Sequence, residues 1–334
     1  MNQFIFRTTL ALAAATPLVL RADDLPENPN RFSFGPTFGL NFKAQFRNNA
    51  ALYNNVTPGP AGGGANHNYN DGYVLVDGSG NAGGVTGNWG YKNPSQVVGD
   101  TMQFHAIQTQ NSSSITGDPQ MGFELNYQRV IGHLCAPSIV WGLETGLGVT
   151  EIDLRENFNG TLPVTTDTFQ LNGVIPPGAG YNGTFAGPGP LLGDTPTRTT
   201  TLATRTGYQK LSGQLVTIRL GPFAEWNLTD KLSLSASAGL ALAPTMLDYD
   251  FSETATLPGG GGTYAARGHS SKTELLYGPY AGAMLRYDIT RRWGLYVGAR
   301  FQNLTGLNQS AGSRTARFDP GCTVNLTVGA TWKF

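Results

Sequence analysis

The chain has 334 residues, a formal net charge of zero and only 13% charged residues. The lack of a basic excess argues against a nucleic-acid partner, and two cysteines are too few for a disulfide framework. The 45 glycines exceed the usual share of about 7%. With asparagine they crowd the segments between the predicted strands, as is typical of long loops.

The N-terminus predicts a secretory signal peptide over residues 1–22. Its apolar run from Thr8 to Leu20 is followed by Ala22, a small residue suited to cleavage. A buried first helix is the alternative, but Pro17 would interrupt it. The sequence contains no run of about eighteen apolar residues that could span a membrane as a helix. We therefore expect a mature protein, residues 23–334, outside the cytoplasm.

Eight later segments alternate apolar and polar residues, a period of two that only a strand presents as two distinct faces. The last segment shows it most clearly, because the even-numbered residues from Val324 to Phe334 are all apolar or aromatic. The predicted strands cover residues 32–46, 120–130, 138–154, 208–226, 231–249, 272–288, 292–303 and 322–334.

The connections between these strands alternate in length, which predicts that all long loops lie on one side of the sheet. Outer-membrane barrels have this asymmetry, with short turns on the periplasmic side and long loops outside. An even number of strands also closes the sheet with both termini on one side. The short connections are 131–137, 227–230 and 289–291, and the long ones are about 47–119, 155–207, 251–271 and 304–321.

The final strand stops on Phe334, which resembles the closing strand of bacterial outer-membrane β-barrels, since these typically end in an aromatic residue. The pattern as a whole is similar to small barrels of the OmpA and OmpX type. This resemblance implies an all-β fold, an up-and-down antiparallel transmembrane β-barrel of eight strands, integral to the outer membrane. It implies outer-membrane lipid as a partner, and it implies that the barrel assembly machinery recognises Phe334 as an assembly signal.

The strand count has one alternative. Residues 101–110 alternate in part, and residues 85–91 could pair with them as a hairpin. A hairpin standing above the membrane leaves eight strands, whereas a hairpin crossing the membrane would make ten. We expect eight. The second long connection, 155–207, is rich in Thr, Gly and Pro and is expected to be irregular.

Apolar and polar residues alternate along the strands of both membrane barrels and secreted soluble barrels. The direction of the apolar face therefore decides between the two classes. Here the apolar face carries most of the bulky residues and no charge over the strand middles. We therefore expect Phe38, Leu147, Leu240 and Val297 to face lipid rather than pack together at the centre. On the third strand Glu151 takes an apolar-face position, so the lipid-facing part is expected to end at Val149.

The opposite face carries charged residues that we expect inside the barrel. A buried charge is costly unless it is paired, and an eight-stranded barrel has an interior just wide enough for side chains. Both signs occur, which favours a salt-bridge and hydrogen-bond network that fills the lumen. A narrow ion path lined by the same residues is the alternative. The residues are Lys43, Glu124, Glu144, Arg219, Glu225, Arg286 and Arg300.

Aromatic residues concentrate near the short-turn ends of the strands, where a membrane interface would favour amphipathic rings. As ordinary strand formers they would be scattered instead, and Phe38 and Phe123 do lie elsewhere. The predicted interface aromatics are Phe32, Tyr127, Trp226, Tyr287, Trp293, Trp332 and Phe334.

Gly-Pro pairs interrupt three strands, at Pro36, Pro222 and Pro279. Proline cannot donate to the hydrogen-bond ladder, and a closed barrel has no edge strand to accommodate it. We therefore expect a β-bulge at each pair.

The sequence offers no motif for catalysis, a metal or a cofactor, and we expect none of these. A Ser-His-acid group could assemble from loops, but no local motif supports one. The run 66–77 partly echoes a calcium loop. However, Asp71 stands where glycine is expected and Asp77 where glutamate is, so a polar surface loop fits better. No pair among the four histidines has metal-ligand spacing; these are His67, His105, His133 and His269.

Two further expectations concern the cysteines and the function. Cys135 and Cys322 are placed at opposite membrane faces, too far apart to bond, since bonded Cα atoms lie within about 7 Å.

The barrel is expected to be structural or to bind an unknown extracellular ligand through its loops. One alternative is a narrow porin-like channel. Another is a loop-based enzyme, which would need a histidine within hydrogen-bond reach of a serine or an acid.

Overall fold

A computed structural model of the chain describes residues 29–48, 58–107, 111–134, 136–257, 262–312 and 314–334. The predicted signal peptide and Cys135 lie outside the described residues. No helix in these ranges is long and apolar enough to span a membrane, and two short 3₁₀ helices occur, Ala82–Gly84 and Pro94–Gln96. The strands in chain order are β1 (Asn30–Leu40), β2 (Lys43–Asn48), β3 (His67–Tyr69), β4 (Gly72–Val74), β5 (Val85–Thr86), β6 (Trp89–Tyr91), β7 (Val97–Val98), β8 (Thr101–Ile107), β9 (Asn111–Thr116), β10 (Gln120–Leu134), β11 (Ala136–Gln170), β12 (Leu192–Gly193), β13 (Thr197–Asn227), β14 (Leu232–Thr256), β15 (Thr263–Asp288), β16 (Trp293–Gln302), β17 (Leu307–Ala311), β18 (Arg314–Asp319) and β19 (Thr323–Lys333).

Eight of these strands close into a barrel. The hydrogen-bonded order is β1, β10, β11, β13, β14, β15, β16, β19 and back to β1, and every pair is antiparallel. The predicted eight-stranded up-and-down barrel is confirmed. The ten-strand alternative is wrong, because within the described chain β8 pairs with β7 and with the far end of β11, at Val164–Gln170, and with no strand of the barrel inside the belt.

The outside of the barrel carries a belt of apolar side chains. Leu147 is 46% exposed, Leu240 69% and Val297 55%, and Phe38 is half-exposed. They point away from the barrel rather than packing together at its centre. A continuous apolar surface of this extent is unfavourable in water and is the lipid-facing band of a membrane barrel.

Four strands, β11, β13, β14 and β15, continue far beyond this belt. A strand crosses a membrane in about 9–11 residues, whereas β11 has 35 residues and β13 has 31. Beyond the belt the two faces exchange polarity. On β11 the outward residues change from Val149 to Glu151, as predicted, while the inward residues change from Gly148 to the buried Ile152 and Leu154.

The extended strands pack against a second sheet, in the order β17, β18, β2 and β9. Together the two sheets form a sandwich above the belt with an apolar interior, called here the upper core. The upper core consists of Phe42, Ala44, Phe46, Ile152, Leu154, Leu211, Leu215, Ala241, Ala243, Leu247, Tyr249, Phe251, Leu276, Tyr280, Leu304, Leu307, Ala311, Ala316 and Phe318.

Several predicted boundaries are therefore wrong. The connections 155–207 and 251–271 are largely strand, because β11, β13, β14 and β15 keep alternating with inward apolar residues instead of outward ones. The predicted first strand, 32–46, is two strands. It breaks at Asn41, whose φ of 66° lies in the left-handed region, and β2 then joins the second sheet.

Residues 58–107 and 171–196 form a cap over the tip of β11. The cap contains a small sheet with the strand order β3, β4 and β6, and a second pair of strands, β5 and β12. The hypothesis that residues 85–91 pair with residues 101–110 is wrong for the described part, 101–107, because β5 pairs with β12 and β6 pairs with β4. The buried interior of the cap is rich in aromatic residues and contains Tyr69, Val74, Trp89, Tyr91, Met102, Phe104, Ala106, Phe169, Leu171 and Leu192.

The bulges expected at the Gly-Pro pairs are absent from the described strands. Ladder pairs on each side of Gly35-Pro36 keep one register between β1 and β19. Gly35 lies opposite Gly329, and a Cβ on Gly35 would lie 2.1 Å from the Val328 carbonyl oxygen. The missing side chains let the backbones approach closely beside proline. The register shifts of β10 and β11 occur instead near the turn, between Val130 and Gly132 and between His133 and Leu134.

Replacing Leu240 by arginine tests the belt. We expect Leu240→Arg to lower the free energy of unfolding by about 2–4 kcal/mol, because a cation at mid-depth must leave water. Urea unfolding in lipid vesicles measures this. Leu202 is also exposed, but lies on β13 beyond the belt, so Leu202→Arg should change stability by less than about 0.5 kcal/mol. Equal losses in the two variants would contradict a lipid-facing belt.

Candidate functional site

The barrel interior within the belt is filled by ion pairs. The first group centres on Glu124 of β10, which is 2.5 Å from Arg300 Nη1 and 3.2 Å from Arg219 Nη2. Asn126 donates to Glu124 at 2.8 Å and accepts from Arg219 at 2.7 Å. All four side chains are buried. One carboxylate thus joins strands on three sides of the lumen.

The second group centres on Glu225 of β13. Arg31 donates to Glu225, and Arg286 donates to the same carboxylate oxygen at 2.9 Å. Arg286 also donates to Gln128 at 3.2 Å, and Gln128 donates to Glu144 at 2.7 Å. Hydrogen bonds therefore connect β1, β10, β11, β13 and β15 across the interior.

The structure places six of the seven predicted lumen residues inside the barrel and buried; they are Glu124, Glu144, Arg219, Glu225, Arg286 and Arg300. The prediction for Lys43 is wrong. Lys43 begins β2, opposite Asp319 of β18, on the face turned away from Phe42 and Ala44. Arg31 was missed, because the predicted strand started at residue 32, whereas β1 starts at Asn30. Its alternation with Ser33 and Gly35 would have identified it.

Glycine makes room for these long side chains. A Cβ on Gly146 would lie 2.4 Å from Asn126 Oδ1 and 2.5 Å from Arg219 Nη2. Between Glu124, Glu144 and Arg300 a cavity of about 10 Å³ remains, room for about one water molecule. The upper core closes the interior above the ion pairs. The lumen is therefore filled by paired charges at the level of the belt and by apolar side chains above it.

At the short-turn end, aromatic rings cover the outside of the barrel seam. The ring centres of Phe32 and Tyr127 are 5.2 Å apart, those of Phe32 and Phe334 are 5.5 Å apart, and those of Trp332 and Phe334 are 4.7 Å apart. Trp293 stacks on Trp332 at 6.2 Å. The two other predicted interface aromatics, Trp226 and Tyr287, are exposed on the outer face of their strands.

The polar run 66–77 belongs to the cap, where its side chains support turns. Asp77 accepts hydrogen bonds from the side chain and amide of Ser79 and from the amides of Gly87 and Asn81. These bonds, that from the Ser79 hydroxyl first, lower the pKa of Asp77 to about 2. No group of three or more His, Cys, Asp or Glu side chains suited to a metal ion occurs in the described part of the chain.

Two histidines lie in the cap, and a third lies on the outside of the sandwich. His105 Nδ1 is 2.7 Å from Asp71, and burial lowers the pKa of His67. On the outer face of β15, His269 is hydrogen-bonded to both an acid and a serine. Sequence reasoning missed this cluster because residues 251–271 were predicted to be a loop. Histidine and serine two residues apart share one face only if the segment is a strand.

Comparisons with known proteins give distant likenesses only. No protein-family model and no curated protein matches the chain. Among solved structures, Ail, the attachment invasion locus protein of Yersinia pestis, is 10% identical, with coverage of 90% of this chain and 99% of its own and a TM-score of 0.25. The outer-membrane protease OmpT of Escherichia coli is 12% identical, with coverage of 92% and 97% and a TM-score of 0.30. A FadL homologue of Pseudomonas aeruginosa is 12% identical, with coverage of 92% and 93% and a TM-score of 0.18.

These values are too low to carry an argument, and the class rests on the closed ring of strands and its apolar belt. The fold is that of a small outer-membrane β-barrel. Barrels with an outward apolar band, a polar interior and one set of short turns occur in outer membranes. The protein is therefore an integral protein of that membrane.

Replacing Glu124 by glutamine tests the ion network. The neutral amide leaves Arg219 and Arg300 buried without a carboxylate, and we expect a loss of about 3–5 kcal/mol of unfolding free energy. Urea unfolding provides the measurement. Asp153 pairs with Lys210 at 3.2 Å on the exposed surface, so Asp153→Asn should cost less than about 1 kcal/mol. A Glu124 variant as stable as the Asp153 variant would show that the network contributes no stability.

Replacing Asp77 by alanine tests the turn in the cap. Since the folded pKa of Asp77 is lowered to about 2, its stabilisation is full above its ordinary pKa of about 4 and is lost as the pH falls towards 2. We expect Asp77→Ala to lower the thermal midpoint at pH 6, with a difference from wild type that shrinks between pH 4 and pH 2. Asp230→Ala, in an exposed turn, controls for loss of a surface carboxylate. A difference independent of pH would contradict the assignment.

Proposed function

We propose that this protein is a non-conducting outer-membrane barrel that acts through the sandwich and cap, as a structural element of the envelope or by binding an extracellular ligand. The filled lumen carries this proposal. Glu124 and Glu225 each bridge two arginines across the interior. Paired charges at these distances leave no continuous row of hydrated sites that an ion could follow.

The orientation supports action on the outside. The start of β1 at Asn30, its hydrogen-bonded partner Phe334 and the short turns lie at the end of the barrel that faces the periplasm in proteins of this class. The sandwich and cap then face the medium. Within segment 171–196 of the cap, Ile175 is 88% exposed, and Phe185 and Leu191 are also exposed. Large apolar side chains on a loop in water favour contact with a partner.

Planar-bilayer recording separates this proposal from a narrow porin-like channel. The purified wild-type protein should give no steady current. Removing the central pair with Glu124→Ala and Arg219→Ala together should still give no steady current, because the upper core closes the interior above the ion pairs. The double variant Asp153→Ala and Lys210→Ala removes an exposed pair and should remain silent. A steady current from the wild type would overturn the closed-lumen proposal.

A further inference from the structure

The outer face of β14 and β15 carries an aligned serine, histidine and aspartate just beyond the belt. His269 Nδ1 lies 2.7 Å from Asp250 Oδ1, and His269 Nε2 lies 3.2 Å from Ser271 Oγ. His269 and Ser271 are two residues apart on β15 and so share a face. Asp250 is directly opposite His269 in the ladder, and Asp248 is opposite Ser271. The strand register therefore fixes all these side chains.

The hydrogen bonds assign a distinct role to each ring nitrogen of His269. If Nδ1 donates its proton to Asp250, Nε2 has a free lone pair directed at the Ser271 hydroxyl. This is the arrangement in which a histidine accepts the proton of a nucleophilic serine while an acid orients the ring. Such groups are recognised by geometry and not by chain order. In the resting structure the Ser271 hydroxyl donates to Asp248, so it must rotate towards His269 before attack.

The site is open to substrate. The side chain of His269 is 60% exposed and that of Asp250 is 38% exposed. The edge of β15 that pairs with β16 from Tyr280 onward has no ladder partner before that residue in the described chain. Tyr277 directs its amide and carbonyl towards that edge. By alternation Ser271 does the same, and in the described chain its amide has no strand partner there. That amide can donate to an oxyanion formed at Ser271.

The position of the site relative to the belt points to a class of substrate. On the same face, the exposed Met246 is two residues from Asp248, and the exposed Leu275 is four residues from Ser271. At about 3.4 Å per residue these side chains begin roughly 7–14 Å below the serine. An acyl chain lying along the belt would therefore place its carbonyl group at the level of Ser271.

Basic residues continue the same row of the sheet. Lys210 is opposite Asp250 across β13 and β14, and Arg155 is opposite Lys210 across β11 and β13. Arg155, Lys210 and Asp153 line a groove of about 410 Å³. Asp118 lines the same groove and Lys210 is paired with Asp153 at 3.2 Å, so the two basic and two acidic side chains balance and favour no one charge of headgroup.

We propose that Ser271, His269 and Asp250 form an esterase site for acyl esters of amphiphiles in the outer leaflet, an activity beyond the proposed function. Ser271 Oγ bonds to the ester carbonyl carbon as its proton passes to His269 Nε2. The bond from that carbon to the alkoxy oxygen then breaks, and the leaving alcohol takes the proton from Nε2. Water next attacks the acyl-serine and gives a proton to Nε2, which returns it to Ser271 Oγ. The products are one carboxylic acid and one alcohol.

The test uses the purified full chain folded in detergent. A fluorophosphonate probe should label Ser271, as located by peptide mass spectrometry, and p-nitrophenyl decanoate should be hydrolysed. Ser271→Ala should abolish both results. His269→Gln should lower kcat by at least about 100-fold, the usual contribution of a general base. Asp250 is a positioning residue, so Asp250→Asn should lower kcat with little change in KM, and Asp250→Glu should restore part of the loss.

Ser212→Ala is the matched control, because Ser212 lies on the same outer face, opposite Asp248, without a described hydrogen bond to a histidine. The Ser212→Ala protein should be labelled by the probe and should hydrolyse the ester as the wild type does. The mobility shift between unheated and boiled samples on an SDS gel verifies that each variant is folded. Wild-type protein that is not labelled, or Ser271→Ala protein that is labelled equally, would overturn the proposal.

Vesicles test whether a membrane lipid is a substrate. With vesicles of phosphatidylglycerol or of phosphatidylcholine, the wild type should release fatty acid and Ser271→Ala should not. Equal release by the two proteins would overturn the assignment of a lipid acyl ester.

Discussion

Every side chain of the closed sheet faces either the surroundings or the interior, and the surroundings change from hydrocarbon to water along the same strand. This constraint orders the whole molecule. Within the belt Val149 faces out and Gly148 faces in, whereas a few residues later Glu151 faces out and Ile152 faces in. The alternation itself never stops. What changes along the strand is the surroundings of each face. The residues on that face are polar or apolar accordingly.

The same constraint explains the two different interiors. Inside the belt, inward residues are polar and need partners, because an unpaired charge in a closed space is strongly unfavourable. Glutamates held between arginines satisfy that need, and glycines such as Gly146 provide the room. Beyond the belt, inward residues are apolar and need a covering surface. The barrel wall alone cannot provide it, so β2, β9, β17 and β18 form a second sheet to close the upper core.

The barrel could be predicted from sequence because contact with lipid imposes a strict period of two. Large apolar residues such as Leu240 and Val297 fit only the lipid-facing side of such a strand. The sandwich could not be predicted, because residues 155–170 alternate with weaker contrast and carry polar residues outside. Leu215 is an apolar residue on the mostly polar face of its strand, and it belongs to the upper core. Lys43 was misplaced because nothing local reveals the break at Asn41. The pairing of His269 with Asp250 was missed because the sequence of one strand does not determine its register against another strand.

The second sheet takes β2 from near the beginning of the chain and β18 from near its end. Within the barrel, Thr37 and Thr327 are likewise hydrogen-bonded across 290 residues. Pairings between such distant segments form late, because the intervening chain must first be brought together. The upper core can therefore be sealed only after the last strands have arrived. Until then Ile152 and Leu154 stand uncovered, and during this interval the growing molecule is most exposed to aggregation and most dependent on chaperones.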